Sequence, residues 1–165
     1  SRVSRGLGDV YKRQTHNSLE AYTSKGSIVT PTAVAADDIM FSYSHYGYDG
    51  SQYKLSSVIS ASVDPDATVS SGAVPGQLII ATTPDNGSTL KFVVLDKDGN
   101  FGINVTNPTK KLEVNGNGQF ASEVLLGRMD QTAINALTAA NGMIVYNTTT
   151  NKFQGYENGA WSNLI

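Results

Sequence analysis

Cysteine is absent from the 165 residues, which excludes disulfide bridges, thiol nucleophiles and thiolate metal sites. Charge is scarce as well: charged residues make up 16%, and 12 Lys+Arg against 14 Asp+Glu leave a formal net charge of -2. No basic stripe forms, so the footprint that a phosphate backbone requires is missing, and nucleic acid is not an expected partner. No run of about 18 apolar residues occurs, which argues against insertion of a helix into a membrane. Near the start there is neither a Met nor an apolar signal segment. What is there is a hydrophobic fraction of 39% and 16 glycines, ordinary for a folded chain rather than a disordered one. The length allows one or two small domains with a modest core.

The first residues stand apart. SRGLGDVYKRQ, Ser4 to Gln14, reads back into codons that resemble a transposon-type sequencing adapter translated in one frame. Residues 1–14 are therefore expected to be a non-biological adapter translation, and the chain a C-terminal fragment of something longer. The competing reading is a basic, flexible N-terminal arm.

Residues 15–37 are polar, rich in Ser, Thr and Gly, and read as a linker with at most one short strand. A β-meander domain is expected over 38–100. Its first hairpin pairs strands at roughly 39–48 and 53–63 around Asp49-Gly50, because the sequence alternates through aromatic and β-branched residues and Gly accepts a positive φ. QLIIATT and TLKFVVLD supply two more strands across Pro84-Asp85-Asn86-Gly87, and Asp98-Gly99 makes a further tight turn. The fold class is mostly β: an antiparallel meander or sandwich of four or five strands, a short β stem joint over 101–120, and a C-terminal helix and β-hairpin unit over 121–165. In that last unit MDQTAINALTAANG predicts a helix of about two turns, N-capped by Asp130, with Ile134 and Leu137 on one side and Gly142 as its stop. Strands are expected at Met143–Tyr146, at Lys152–Tyr156 and, after Asn158-Gly159, around Trp161 and Leu164.

The joint FGINVTNPTKKLEVNG raises a question of partners. Phe101, Ile103 and Val105 share one strand face, and Leu112 and Val114, with Gly116 as its extension, another, with a break at Asn107-Pro108. An isolated strand pair is marginal in water. Two solutions exist: a threefold axis that brings identical faces together into a shared core of Phe101, Ile103, Leu112 and Val114, or packing inside one chain's own sandwich.

Three stretches resemble phage tail-fibre proteins. GYDGSQYKLSSVISASVD followed by VPGQLIIATTPDNGSTLKFVVLDKDGNFGI looks like a repeated fibre module that opens on GYDG and closes on D-x-x-G-N-V-G-I. FGINVTNPTKKLEVNGNG is similar to the G-N-V-G-I-G-T-x-x-P-x-x-K-L-x-V-x-G joint of fibre stems, and GMIVYNTTTNKFQGYENGAWSNLI resembles a C-terminal hairpin unit of such chains. Two departures stand out: Asn104-Val105 replaces the usual Gly-Thr, and Leu90 to Leu95 lacks the usual Glu-Arg-Met-Arg-Ile run. The resemblance implies a homotrimer in a virion tail, joined to other tail proteins upstream and meeting a host cell-surface carbohydrate or protein. A bacterial or prophage-encoded surface adhesin uses the same modules, and a glycan depolymerase fragment is the third class.

Chemistry is thinly signalled. DKDGN, Asp96 to Asn100, has Gly99 fourth and Asn107 twelfth where a calcium loop needs Gly sixth and Glu twelfth, so a hairpin turn is expected and no metal. Asp64 and Asp66 sharing a cation with Asp37 and Asp38 is weighed against solvated turn carboxylates, which are commoner. His16 and His45 lie far apart without a nucleophile elbow, zincin helix or phosphate loop, and no cofactor is expected. The acids sit mainly in turns and no long platform is present for a carboxylate pair that hydrolyses glycans, so no enzyme is expected. NVT, NGS and NTT match the glycosylation pattern, without meaning in a phage protein. Candidate receptor contacts are the rings of Phe41, Tyr43 and Tyr53, and of Phe153, Tyr156 and Trp161 in the terminal unit, since aromatic rings give rigid contact area with a polar tip. The competing reading for alternating aromatics is half-buried sheet residues.

Overall fold

The computed structural model describes residues 19–164, so the expectations for residues 1–14 and for His16 lie outside the described residues. The chain divides after Gly118 into two compact units.

The first unit opens with a two-stranded ribbon, β1 (Lys25–Gly26) and β2 (Pro31–Thr32), inside the stretch read as linker. Six strands then form one sheet: β3 (Ile39–Tyr48), β4 (Tyr53–Val63), β5 (Gly76–Thr82), β6 (Lys91–Leu95), β7 (Phe101–Ile103) and β8 (Leu112–Val114), in that spatial order. The first hairpin keeps the bounds that alternation gives it. Gly50 takes φ 101, and Asp49 Oδ1 accepts from the Ser51 and Gln52 N–H groups at 2.8 Å each. Those bonds pull the Asp49 pKa below the ordinary carboxylate value, the Gln52 N–H contributing most.

DKDGN is the hairpin turn between β6 and β7. Asp96 Oδ1 accepts from the Asp98 and Asn100 N–H groups, and Gly99 takes φ 69. Desolvation pushes the Asp96 carboxyl up, but the Asn100 and Asp98 hydrogen bonds outweigh it and hold it below the usual range.

The joint differs from the four- or five-strand expectation. β7 pairs antiparallel with β6, and β8 pairs parallel with β7 at the edge of a six-stranded sheet. The backbone partner of the joint is thus the chain's own sheet. A parallel connection commonly takes a dozen or more residues, and here residues 104–111 suffice. The short path crosses close over β7: a Cβ built on Gly102 would stand 2.6 Å from the Val105 carbonyl oxygen and 3.4 Å from Pro108 Cγ. Glycine is required there because the loop occupies the space of a side chain. The return begins at Asn104, at φ 53, a backbone region open to Gly and tolerated by Asn. Its N–H donates to the Phe92 carbonyl, and its Oδ1 accepts from the Phe92 N–H at 3.1 Å. Asn in place of the usual Gly therefore keeps the turn and adds a tie to β6, and β6 forms without the Glu-Arg-Met-Arg-Ile run.

The second unit holds β9 (Arg128–Met129), α1 (Gln131–Asn135), β10 (Ile144–Asn147), β11 (Lys152–Glu157) and β12 (Ala160–Asn163), with sheet order β12-β11-β10-β9. Asp130 is the N-cap, its Oδ1 accepting from the Ala133 N–H at 2.8 Å. The helix is shorter than the two turns expected. The Ala136 N–H already turns to the Thr132 and Ala133 carbonyls, tightening the last turn, and Gly142, at φ 93, serves the turn before β10 rather than a helix stop. At the two-residue hairpin β11–β12, Asn158 and Gly159 both take positive φ, 50 and 82, as strand twist demands. β9 is a strand the sequence did not announce; it pairs parallel with β10.

Candidate functional site

The four residues expected to form a shared core come together on one patch. Phe101 stands opposite Leu112 and Ile103 opposite Val114, so all four project from the same face of the sheet edge. Three of them are exposed, Phe101 at 38%, Leu112 at 56% and Val114 at 38%, and Ile103 is half-buried. The Thr109 N–H and hydroxyl donate to Glu113 Oε2, and Lys111 Nζ donates to the Asp98 carbonyl at 2.6 Å. These contacts fix the connection, so the exposed apolar side chains ride on a braced strand pair.

The six aromatic candidates separate into groups. Phe41 and Tyr43 stand on β3, where the Tyr43 ring meets the His45 imidazole edge-on at 4.6 Å. His45 Nδ1 is 3.1 Å from Ser57 Oγ, a strand-to-strand pair. Tyr53 sits at the hairpin end against Tyr48, ring centroids 5.4 Å apart. In the second unit Phe153 pairs with Tyr146 across β10 and β11 at 5.1 Å, and the Arg128 guanidinium lies 5.8 Å from the Tyr146 ring centroid. Tyr156 and Trp161 pair across β11 and β12 at 5.2 Å on the opposite face from Phe153. Tyr48 and Tyr146 are the partners that sequence reasoning passed over; both lie in expected strands, opposite chosen residues.

Beside Tyr156 and Trp161, on the same face, lies a feature with no sequence signal. Asn147 is fully buried. Its Nδ2 donates to Gln131 Oε1 at 2.8 Å and Gln154 Oε1 at 3.0 Å, while its Oδ1 accepts from the Thr149 and Thr150 N–H groups. Gln131 continues to Asn135 and Gln154 to Asn163, making a relay of five side-chain amides from α1 to β12. Ile134 and Val145 are buried beside it.

The carboxylates weighed for a cation are engaged elsewhere. Asp38 Oδ2 pairs with Lys25 at 2.9 Å and accepts from the Ala35 N–H. Buried Asp64 accepts from the Asp66 and Lys97 N–H groups, with Lys97 Nζ at 3.8 Å. Among the described residues no group of three or more His, Asp or Glu side chains gathers. On the reverse face of the sheet lies an apolar cleft of about 530 Å³ whose floor is Val58, Ile79, Ala81, Phe92 and Val94.

Residues 102–165 match the family model of a phage tail like trimerisation region, a span that starts within β7 and includes β8 and the whole second unit. No curated protein matches the chain. The family match supports a phage tail-like protein with a trimeric, structural role, and among the described residues no helix is long and apolar enough to cross a membrane.

Proposed function

We propose that the chain is a structural and host-adhesion segment of a phage tail fibre, without enzymatic activity, that assembles as a homotrimer in the virion. The observation that carries this reading is the patch of Phe101, Ile103, Leu112 and Val114: four apolar side chains on one face of a braced strand pair, three of them exposed and Ile103 half-buried, with three of the four inside the trimerisation match. Apolar surface of this kind gains about 25 cal/mol for each Å² removed from water, and a threefold axis offers each copy the same surface twice. Adhesion is assigned to the exposed rings of Tyr53 and Tyr48 at the hairpin end and of Phe153, packed on half-buried Tyr146, in the terminal unit, which offer rigid contact area to a host carbohydrate.

Light scattering after chromatography tests the assembly. The expected result is three times the chain mass, stable to dilution, and a monomer would remove the proposal's basis. Adhesion is tested by competition: the wild-type trimer should block adsorption of the parent phage to its host, and a Phe153→Ala, Tyr53→Ala chain should block it less. Equal blocking by both would move the contact away from these rings.

A further inference from the structure

Cross-strand partners share a face of a sheet, so the strand registers define rows that run across all six strands. One row reads Phe41, Ala61, Leu78, Leu95, Phe101 and Leu112. The next reads Tyr43, Ile59, Ile80, Val93, Ile103 and Val114. Neither row holds a charge, and the Tyr43 hydroxyl is the one polar side-chain group in them. A third row, His45, Ser57, Thr82 and Lys91, is polar and bounds the patch. An apolar centre with a polar rim is the anatomy of a protein interface.

Among the described residues of the first unit, nothing covers this face. Nine of the twelve side chains in the two apolar rows are exposed, from 38% at Phe101 to 58% at Tyr43. Together these fractions amount to about four fully exposed side chains, an open apolar patch of several hundred Å². A typical monomer's largest patch is about 300–600 Å², and a stable interface takes about 800 Å² from each partner. The reverse face is treated differently. Asp37, Pro65, Leu90 and Thr106, from connecting segments, close over it, and Ala81 and Val94 are buried there.

We infer that the whole front face, from β3 to β8, is the subunit interface, seated against the same face of two further copies of this chain. The inference rests on the trimeric reading and extends it to residues before 102. Two observations select copies of this chain as the occupant. The rows run without interruption into β7 and β8, where the trimerisation match begins, and the open area is of the same order as what one subunit contributes to a stable assembly. The consequence concerns recognition. Phe41 and Tyr43 become interface residues and leave the list of receptor contacts, while Tyr48 and Tyr53, beyond the last β4–β5 pair at Ser57 and Thr82, stay outside the rows.

The test is hydroxyl-radical footprinting of the full chain, with its mass measured in the same buffer. The expected result is a trimer in which Phe41 and Tyr43 react several-fold less than Tyr53. A trimer whose Tyr43 reacts as readily as Tyr53 overturns the inference and leaves the trimeric reading standing; a stable monomer overturns both. Ile80→Glu, at the centre of the face and outside the matched region, should lower the mass to one chain with strand content retained, whereas Ser42→Glu on the reverse face should leave the trimer intact. An Ile80→Glu chain that remains trimeric overturns the inference.

Discussion

The six-stranded sheet and the terminal unit solve the same problem, a shortage of apolar mass, in opposite ways. The sheet is one layer, and nine of the twelve side chains in the two apolar rows of its front face are exposed. The terminal unit places α1 and its amide relay against its own sheet and buries Asn147, Gln154, Val145 and Ile134 together. Apolar burial is non-directional and tolerates many partners, whereas a buried amide is stable only when each donor and acceptor meets its match. The two units differ in what they leave open: the sheet presents an apolar face, and the terminal unit closes a buried polar network on itself.

Breaking either side should show this, and hydrogen exchange read separately over the two units is the measurement. The largest effect is expected for Gly102→Val, whose side chain would collide with the Val105 carbonyl oxygen at 2.6 Å. Overpacking of that kind costs about 3 kcal/mol or more against fixed backbone, and protection should fall in β6, β7 and β8 while β10 and β11 keep theirs. Next comes Asn147→Leu, which strands the Gln131 and Gln154 oxygens and the Thr149 N–H; the expected loss is about 2–3 kcal/mol, confined to the terminal unit. Asp130→Ala removes the N-cap of α1 and should cost about 1 kcal/mol, again leaving the sheet unchanged.

The smallest effect is pH dependence. Asp49 and Asp96 have folded-state pKa values below their ordinary ones, so the stability they contribute is present above about pH 4 and is lost as pH falls through the folded value. Thermal midpoints should be flat from neutral pH down to that point and then drop, and Asp96→Asn should reduce the drop.

Much of the first hairpin was legible because alternation and Asp49-Gly50 act over short distances, and the strand bounds at 39–48 and 53–63 follow from them. The patch at Phe101 to Val114 was legible as four apolar residues for the same reason. Its setting was not. A two-residue period carries no direction, so it cannot tell a hairpin from the parallel β7–β8 pair, and it cannot place Phe41 in one row with Phe101 across three intervening strands. β9 escaped because Arg128 and Met129 hold their place through backbone bonds: the Tyr146 N–H donates to the Gly127 carbonyl and the Thr148 N–H to the Met129 carbonyl. The helix was over-read because Leu137 fits its period, although a turn ending at Ala136 had too few residues to offset the cost of nucleation.

The parallel pairing of β7 and β8 also sets a direction of travel. In an antiparallel meander each strand undoes the advance of the one before it, and the backbone ends near where it started. From Phe101 to Val114 the chain runs forward, loops back, and runs forward again in the same sense. Because Leu112 stands level with Phe101, the loop gives back the first run and the second run repeats it, so the polypeptide leaves the pair at Val114 beside Ile103, the end opposite to the one a hairpin would give. The missing side chain at Gly102 is what lets so short a segment reverse the exit from the sheet.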